Sequence, residues 1–407
     1  MAKPTPTILQ IIPELDTGGA EQSVIEVAEA IVKGGGRAIV LSQGGRLIPQ
    51  LTAAGAEWID FPAASKSPAR ILWNAQRIVD LVRKQKIDLI QAESRAPAWS
   101  AFLAARRARV PFVTSYHGAY GEKNAIKKLY NSVMARSDIV IANSKFTADL
   151  VKARYGTPAN QLRVIYRGVD VRRFDRAHVS ADRIEALRSQ WGLKPEQKIL
   201  LQAARLTSLK GHAHLIRAVG RMHNRLRDAV LIIAGADQGR SGYRTELEAL
   251  ISELSLQKSV RLTGHVEDMP AAFAAAHVAL AVSTVPETFG LVVAEAQATG
   301  CPVIATNIGA PSEIIIAPLD DMANVRTGWL VSPGNLEDYE KAISAALDLT
   351  DNQRAEIATR ARANVRDKFT TVKMQIETLD VYDGILGTNL SGTFRKTSGD
   401  GGIRREV

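Results

Sequence analysis

Short apolar segments alternate with helical patterns along almost the whole chain. In the first half, Ile8–Ile12, Ala38–Ser42, Leu89–Gln91, Phe112–Tyr116 and Ile139–Ala142 are apolar-rich runs bounded by polar or glycine-containing turns. Runs of this length read as strands buried on both faces. Between them the apolar positions recur at helical spacing, as in Ala20–Lys33 and Ser67–Lys84. Strand, helix, strand is the grammar of a doubly wound parallel sheet. From about Asp170 to Lys198 the sequence turns polar. The alternation then restarts with Ile199–Ala203, Val230–Ala234, Val260–Thr263, Val278–Val282 and Pro302–Thr306. A pattern that begins twice predicts two similar α/β domains, and 407 residues are ample for both. Two helical segments, Asp351–Asp367 and Val372–Leu386, close the patterned part, and the Ser-, Thr-, Gly- and Arg-rich remainder from Gly387 is expected to be disordered.

Composition narrows the class. At 46% hydrophobic and 23% charged residues, a packed soluble protein is expected. Cys301 is the only cysteine, which excludes an intrachain disulfide and suits a reducing compartment. Within Gly300-Cys301-Pro302-Val303 it reads as a small buried hydrophobe. Met1-Ala2-Lys3-Pro4-Thr5-Pro6 leads straight into a strand, without the apolar core of a secretory signal, and no apolar run approaches the roughly 20 residues that cross a bilayer. The expected location is cytoplasmic, at most peripheral on the inner face of the cytoplasmic membrane. A formal charge of +10 attracts polyanions, anionic membranes or phosphorylated substrates. With aromatics at 5% and no basic stretch interleaved with stacking residues, nucleic acid is not the expected partner.

In open α/β sheets, ligands bind beyond the carboxyl ends of the strands, and the candidate chemistry falls there. The first strand is followed by Thr17-Gly18-Gly19-Ala20-Glu21, where paired glycines and a helix N-terminus suit an anion; a plain tight turn is the alternative. His117 ends the strand Phe112–Tyr116, placed for catalysis or for structure alike. Arg205 and Lys210 share the loop Ala203–Gly211, and two cations before a helix suit a diphosphate, against the alternative of ordinary surface charge. The segment Pro286–Ala296 carries Glu287 on a loop, then a helix start whose amides near Phe289, Gly290 and Leu291 can face a phosphate. Glu295 lies on that helix among apolar neighbours, where a carboxylate needs partners such as the two hydroxyls of a ribose. A fifth loop, Asn307–Glu313, repeats the glycine-before-helix arrangement, with a plain turn as the alternative.

With these residues in hand, the chain resembles the family 4 retaining glycosyltransferases of the GT-B fold, from the N-terminus to about residue 386. The most specific match is Glu287 and Glu295 with seven residues between them, followed by Ala298–Thr306. Arg205 with Lys210-Gly211 is nearly as specific, and Gly18-Gly19-Ala20-Glu21, His117 and Gly168-Val169-Asp170 follow in the expected order. The resemblance implies two Rossmann-like domains facing a cleft: residues 1–180 for the acceptor and 181–367 for the nucleotide-sugar donor. It also implies a crossover helix over 368–386 packing on the first domain, ahead of the tail 387–407. Glu295 would hold the donor ribose. Arg205, Lys210 and the amides of Phe289–Leu291 would hold the diphosphate, and Glu287 would contact the transferred sugar. Gly264-His265-Val266 would meet the nucleobase; Gly18 and Gly19 would lie near the diphosphate and acceptor, and His117 near the donor sugar. The chain departs from the family pattern at Tyr166-Arg167, where relatives often carry Pro-Asn, and at Ala236-Asp237-Gln238-Gly239, a loose match to a glycine-rich turn.

The implied activity is a retaining transfer from a UDP- or GDP-sugar to a glycan or lipid-linked acceptor, in lipopolysaccharide, capsule or other surface-glycan synthesis. No Asp-x-Asp pair occurs, so metal independence is expected and no cofactor beyond the donor. The alternatives are another GT-B enzyme, such as a nucleotide-sugar epimerase or phosphorylase, and a basic nucleic-acid-binding protein. A nicotinamide oxidoreductase lacks support, since no Gly-x-Gly-x-x-Gly follows the first strand. An anionic inner-membrane surface is a further candidate partner. Ile126, Leu129, Tyr130, Val133 and Met134 recur at helical spacing beside Lys123, Lys127 and Lys128, either to lie on lipid or to pack on the domain itself.

Overall fold

The computed structural model describes residues 5–16, 18–237, 239, 241–318 and 325–398. They form two compact units, one of residues 1–168 with the segment from Thr371 onward, the other of Val169–Thr370. In chain order the first contains β1 (Thr7–Ile11), α1 (Gly19–Lys33), β2 (Arg37–Ser42), α2 (Ile48–Ala53), β3 (Glu57–Asp60), α3 (Pro68–Gln85), β4 (Leu89–Ala92), α4 (Arg95–Ala108), β5 (Phe112–Tyr116), α5 (Ala125–Asn131), β6 (Ile139–Ala142), α6 (Lys145–Tyr155) and β7 (Leu162–Val164). The second contains α7 (Ala181–Gln190), β8 (Lys198–Ala203), α8 (His212–Arg221), β9 (Ala229–Ala234), α9 (Ser241–Glu253), β10 (Val260–Gly264), α10 (Met269–Ala275), β11 (Val278–Ala281), α11 (Leu291–Thr299), β12 (Val303–Thr306), α12 (Pro311–Ile314), β13 (Trp329–Val331), α13 (Leu336–Leu347) and α14 (Asp351–Lys368). Helices α15 (Thr371–Leu386) and α16 (Leu390–Thr397) return to the first unit.

Both sheets are parallel throughout. The first has seven strands in the order β3-β2-β1-β4-β5-β6-β7, the second six in the order β10-β9-β8-β11-β12-β13. Strands β1 and β9 are wholly buried, and β8 is buried except at Lys198, because helices cover both faces. The strands that apolar runs do not announce are short and lie at or near a sheet edge: β3, β7 and β13, where one face or end meets water.

Helix α15 lies against α1, burying Met374, Ile376, Leu379 and Tyr382 in the core of the first unit. The expectation of a disordered tail from Gly387 is corrected over Leu390–Thr397. Polar composition hid an amphipathic turn pair: Leu390 and Phe394, four apart, bury themselves on α1 and α15. Asp383 caps the entry by accepting from the backbone N–H of Leu390 (2.7 Å) and Ser391 (2.9 Å). Residues 399–407 of the expected tail lie outside the described residues. Replacing Phe394 by Ala removes a ring 2% exposed, so we expect a loss of about 3 kcal/mol in chemical denaturation of the full chain.

Cys301 is buried, as its apolar surroundings predict, and burial pushes its thiol up to about 12. No helix among the described residues is long and apolar enough to cross a membrane.

Candidate active site

In the second sheet the strand order reverses between β8 and β11, and the loops leaving those neighbours carry Arg205, Lys210 and Glu287. The Lys210 Nζ lies 2.5 Å from Glu287 Oε1, and the Ser283 hydroxyl donates to the same oxygen. Lys210 and Glu287 are 27% and 22% exposed, so a ligand can reach them. Arg205 is exposed and makes no ion pair among the described residues.

The 204–211 loop is held by backbone. Gln202 Nε2 donates to Lys210 O (2.7 Å), Thr284 N to Leu209 O (2.9 Å) and Leu206 N to Ala236 O (3.1 Å). Gly211 is left-handed (φ 74°), and a Cβ there would collide with the Val282 carbonyl; one at Gly235 would strike Ala204 O. Gly235 therefore provides the close approach after β9; Gln238 of the loosely matching turn lies outside the described residues. The fifth loop has a similar function: Gly309 pairs with Glu287 in an isolated bridge, and Ala310 N donates to Glu287 O (2.8 Å). These contacts leave the side chains of Arg205 and Lys210 to the loop surface.

Two helices open at this point. Helices α8 and α11 both begin after a left-handed glycine, Gly211 and Gly290, with no side chain capping their first amides. Such termini favour anions. Phe289 is buried, its ring 5.9 Å edge-on from Phe369, which anchors the start of α11, and Leu291 is its first residue. Glu295 is half-buried on the second turn of α11, flanked by buried Ala294 and Ala296. His265 is exposed and Val266 half-buried just past β10, where Gly264 O accepts from Gly235 N (2.7 Å). His212 lies beneath the cationic loop, fully buried, its ring 5.9 Å from Tyr243. Burial lowers its imidazole to about 4, with backbone groups of Thr207 and Ala204 opposing and the Lys210 charge adding to the fall.

In the first unit the reversal lies between β1 and β4. Gly18 precedes α1, and Gly19 opens it. A Cβ on Gly19 would overlap the guanidinium of Arg167, which donates to Gly19 O. Arg167, one of the departures from the family pattern, is therefore folded onto the Gly-Gly loop; Thr17 of that loop lies outside the described residues. His117 follows β5 and is held by Glu93, a residue the motif reading missed: Nε2 lies 2.8 Å from Glu93 Oε2. The loop after His117 is tied down by Tyr120, whose ring stands 4.9 Å from Tyr116 and 3.9 Å from the Arg95 guanidinium. Gln202, Ser283 and His212 were missed as well. The available signal was a polar residue at alternate positions in an apolar strand, as in Gln91-x-Glu93 and Ser115-x-His117.

Two doubly wound parallel-sheet units, each with polar or charged loops at its strand reversal, are the architecture of the GT-B fold. Residues 17–173 match the model for Glycosyltransferase Family 4, and residues 183–364 that for Glycosyl transferases group 1. The chain is 31% identical over 310 residues to a D-inositol 3-phosphate glycosyltransferase of Xylanimonas cellulosilytica, covering 72% of this chain and 71% of that one. A solved glycosyltransferase from Rickettsia africae superposes with a TM-score of 0.85 at 31% identity, covering 94% of this chain and 99% of the other. Anabaena HepE, solved with UDP and glucose, gives 0.79 at 25% identity over 92% and 99%. The chain belongs to the family 4 glycosyltransferases and is an enzyme of glycosyl transfer.

Protonation of buried histidines sets an acid limit. His277 is also lowered to about 4, by burial first and then by Arg354, Lys198 and Arg188, and its Nδ1 accepts from Ile199 N (3.1 Å). Between pH 6.5 and about 4 the unfolded chain binds protons at His212 and His277 that the folded unit does not. Stability present above pH 6.5 is therefore lost as pH falls through that window. Thermal midpoints measured from pH 7 to 4 should decline, with a shallower slope in His212→Gln.

Proposed function

We propose that the enzyme is a retaining, metal-independent transferase using a nucleotide-diphosphate sugar, with the donor on the second unit and the acceptor served by the first. The observation that carries this reading is the Lys210–Glu287–Ser283 cluster at the strand reversal, beside Arg205 and two uncapped helix starts. Transfer breaks the anomeric C–O bond and leaves charge on the diphosphate. Arg205, Lys210 and the amides of Phe289, Gly290 and Leu291 meet that charge without a metal. An ion pair as accessible as Lys210–Glu287 contributes roughly 1 kcal/mol or less, whereas each charge-assisted hydrogen bond to a phosphate contributes about 1.5–3 kcal/mol. Lys210 therefore exchanges partners readily, and the released Glu287 carboxylate is free to accept from sugar hydroxyls while Ser283 holds it in place. Glu295 takes the ribose diol, and the Gly264-His265-Val266 segment meets the base. On the first unit, His117 and the Gly18-Gly19 loop serve the transfer. UDP is the first nucleotide to test, since HepE is solved with it.

The thermal midpoint is expected to rise with one of UDP, GDP or ADP, equally in EDTA, and not in Glu295→Ala or Lys210→Ala. No shift with any nucleotide in folded wild type would sink the donor site. Loss of the shift in EDTA would sink metal independence.

We further propose a lipid-linked acceptor at an anionic membrane, for surface-glycan synthesis by a cytoplasmic enzyme. The supporting observation is that Ile126 and Leu129 on α5 are 80% and 57% exposed beside exposed Lys123, Lys127 and Lys128, whereas Val133 and Met134 are buried. At low salt, vesicles containing phosphatidylglycerol should retain the wild type and release the double variant Ile126→Glu/Leu129→Glu. Equal flotation of both would count against this face.

A further inference from the structure

The carboxyl end of the first sheet carries a buried charge that the transfer scheme leaves unused. Gln10 on β1, Gln91 and Glu93 in and after β4, and Ser115 and His117 in and after β5 share one face by the two-residue period of a strand. In the apolar core the lower half of that face is filled by Ile8, Leu89 and Val113. The upper half is polar and equally closed: Gln10 is 0%, Gln91 1% and Glu93 3% exposed.

This polar end is cross-tied. The Tyr382 hydroxyl on α15 donates to Gln91 Oε1, and Gln91 Nε2 donates to Ser115 Oγ at 2.7 Å. Glu93 N donates to Ile11 O (3.0 Å), fixing its backbone to β1. Its carboxylate then reaches His117 through Oε2 at 2.8 Å, while Oε1 lies 3.5 Å from Gln10 Nε2. Arg167 lines the same small cavity. Burying a carboxylate among strands is costly unless it is hydrogen-bonded, and a glutamine would satisfy the same neighbours without a charge.

The chemistry of the pair is directional. A carboxylate only accepts, so the Nε2 that faces it bears the proton, and the tautomer of His117 is set by Glu93. We propose that Glu93 is a positioning residue for glycosyl transfer: it fixes the ring and tautomer of His117 and places a buried negative charge behind it. The inference rests on His117 serving the transfer, as proposed above.

The test uses the full chain and two readouts. Ring 15N shifts of His117, assigned by its loss in His117→Gln, should show Nε2 protonated in wild type. Glu93→Ala should redistribute the tautomers, and Glu93→Asp should restore the wild-type pattern in part. Separately, with UDP-, GDP- and ADP-glucose as donor probes and water as acceptor, Glu93→Gln should lower kcat for nucleotide release about tenfold with KM nearly unchanged. An unprotonated Nε2 in wild type, or an unaltered His117 signal in Glu93→Ala, overturns the positioning role. So does Glu93→Gln turning over at the wild-type rate, even if its thermal midpoint falls, since that is the mark of a merely structural acid. Wild type without turnover on any probe counts against the transferase scheme itself, while the 15N readout still decides the pair.

Discussion

Each sheet begins in its middle, and the functional geometry depends on that constraint. β1 and β8 each take their next two strands on one side, so the fourth strand of each sheet must start on the other. Because all strands are parallel, the loops leaving the two central neighbours emerge in the same direction and diverge. Side chains far apart in sequence are thereby placed at one point. Lys210 and Glu287, 77 residues apart, meet because β8 and β11 are adjacent, not because of any local preference. Glu93 reaches His117 in the same way, from adjacent β4 and β5 near the reversal of the first sheet.

In the second unit the loop that carries Arg205 and Lys210 is held mainly through its backbone and through glycine. Gly211 and Gly235 let carbonyls pack where a Cβ would stand, and Gln202 and Thr284 bond the loop from below. His212 adds an uncharged ring beneath Lys210, so the loop's positive charge is not increased from within the core. The glycines are visible in the sequence, but their purpose is not, since the atoms that exclude a side chain come from other strands.

The same distinction separates what sequence reading delivered from what it did not. Apolar runs such as Val230–Ala234 gave the central strands, and their repetition gave two parallel-sheet units. Edge strands β3 and β7 escaped because half-exposed residues such as Glu57 and Arg163 carry no apolar run. Helix α16 escaped because only Leu390 and Phe394 within its polar composition are needed to dock it. Among candidate site residues, Arg205, Lys210, Glu287 and Glu295 stand out by spacing and by resemblance. Ser283 and Glu93 do not, because each matters only through a partner supplied by tertiary structure. Arg167 was visible as a departure from the family pattern, yet only the fold shows it occupying the space above Gly19.

The two acid-containing pairs differ in one physical respect, how far water reaches them. Lys210–Glu287 is 27% and 22% exposed, so water and salt screen it and a competing anion can replace Glu287 beside Lys210 at little cost. His117–Glu93 is 14% and 3% exposed, where screening is weak and losing the partner would strand a buried charge. An exchangeable pair suits a group that must change hands when a ligand arrives. A fixed pair suits a group whose orientation must not change.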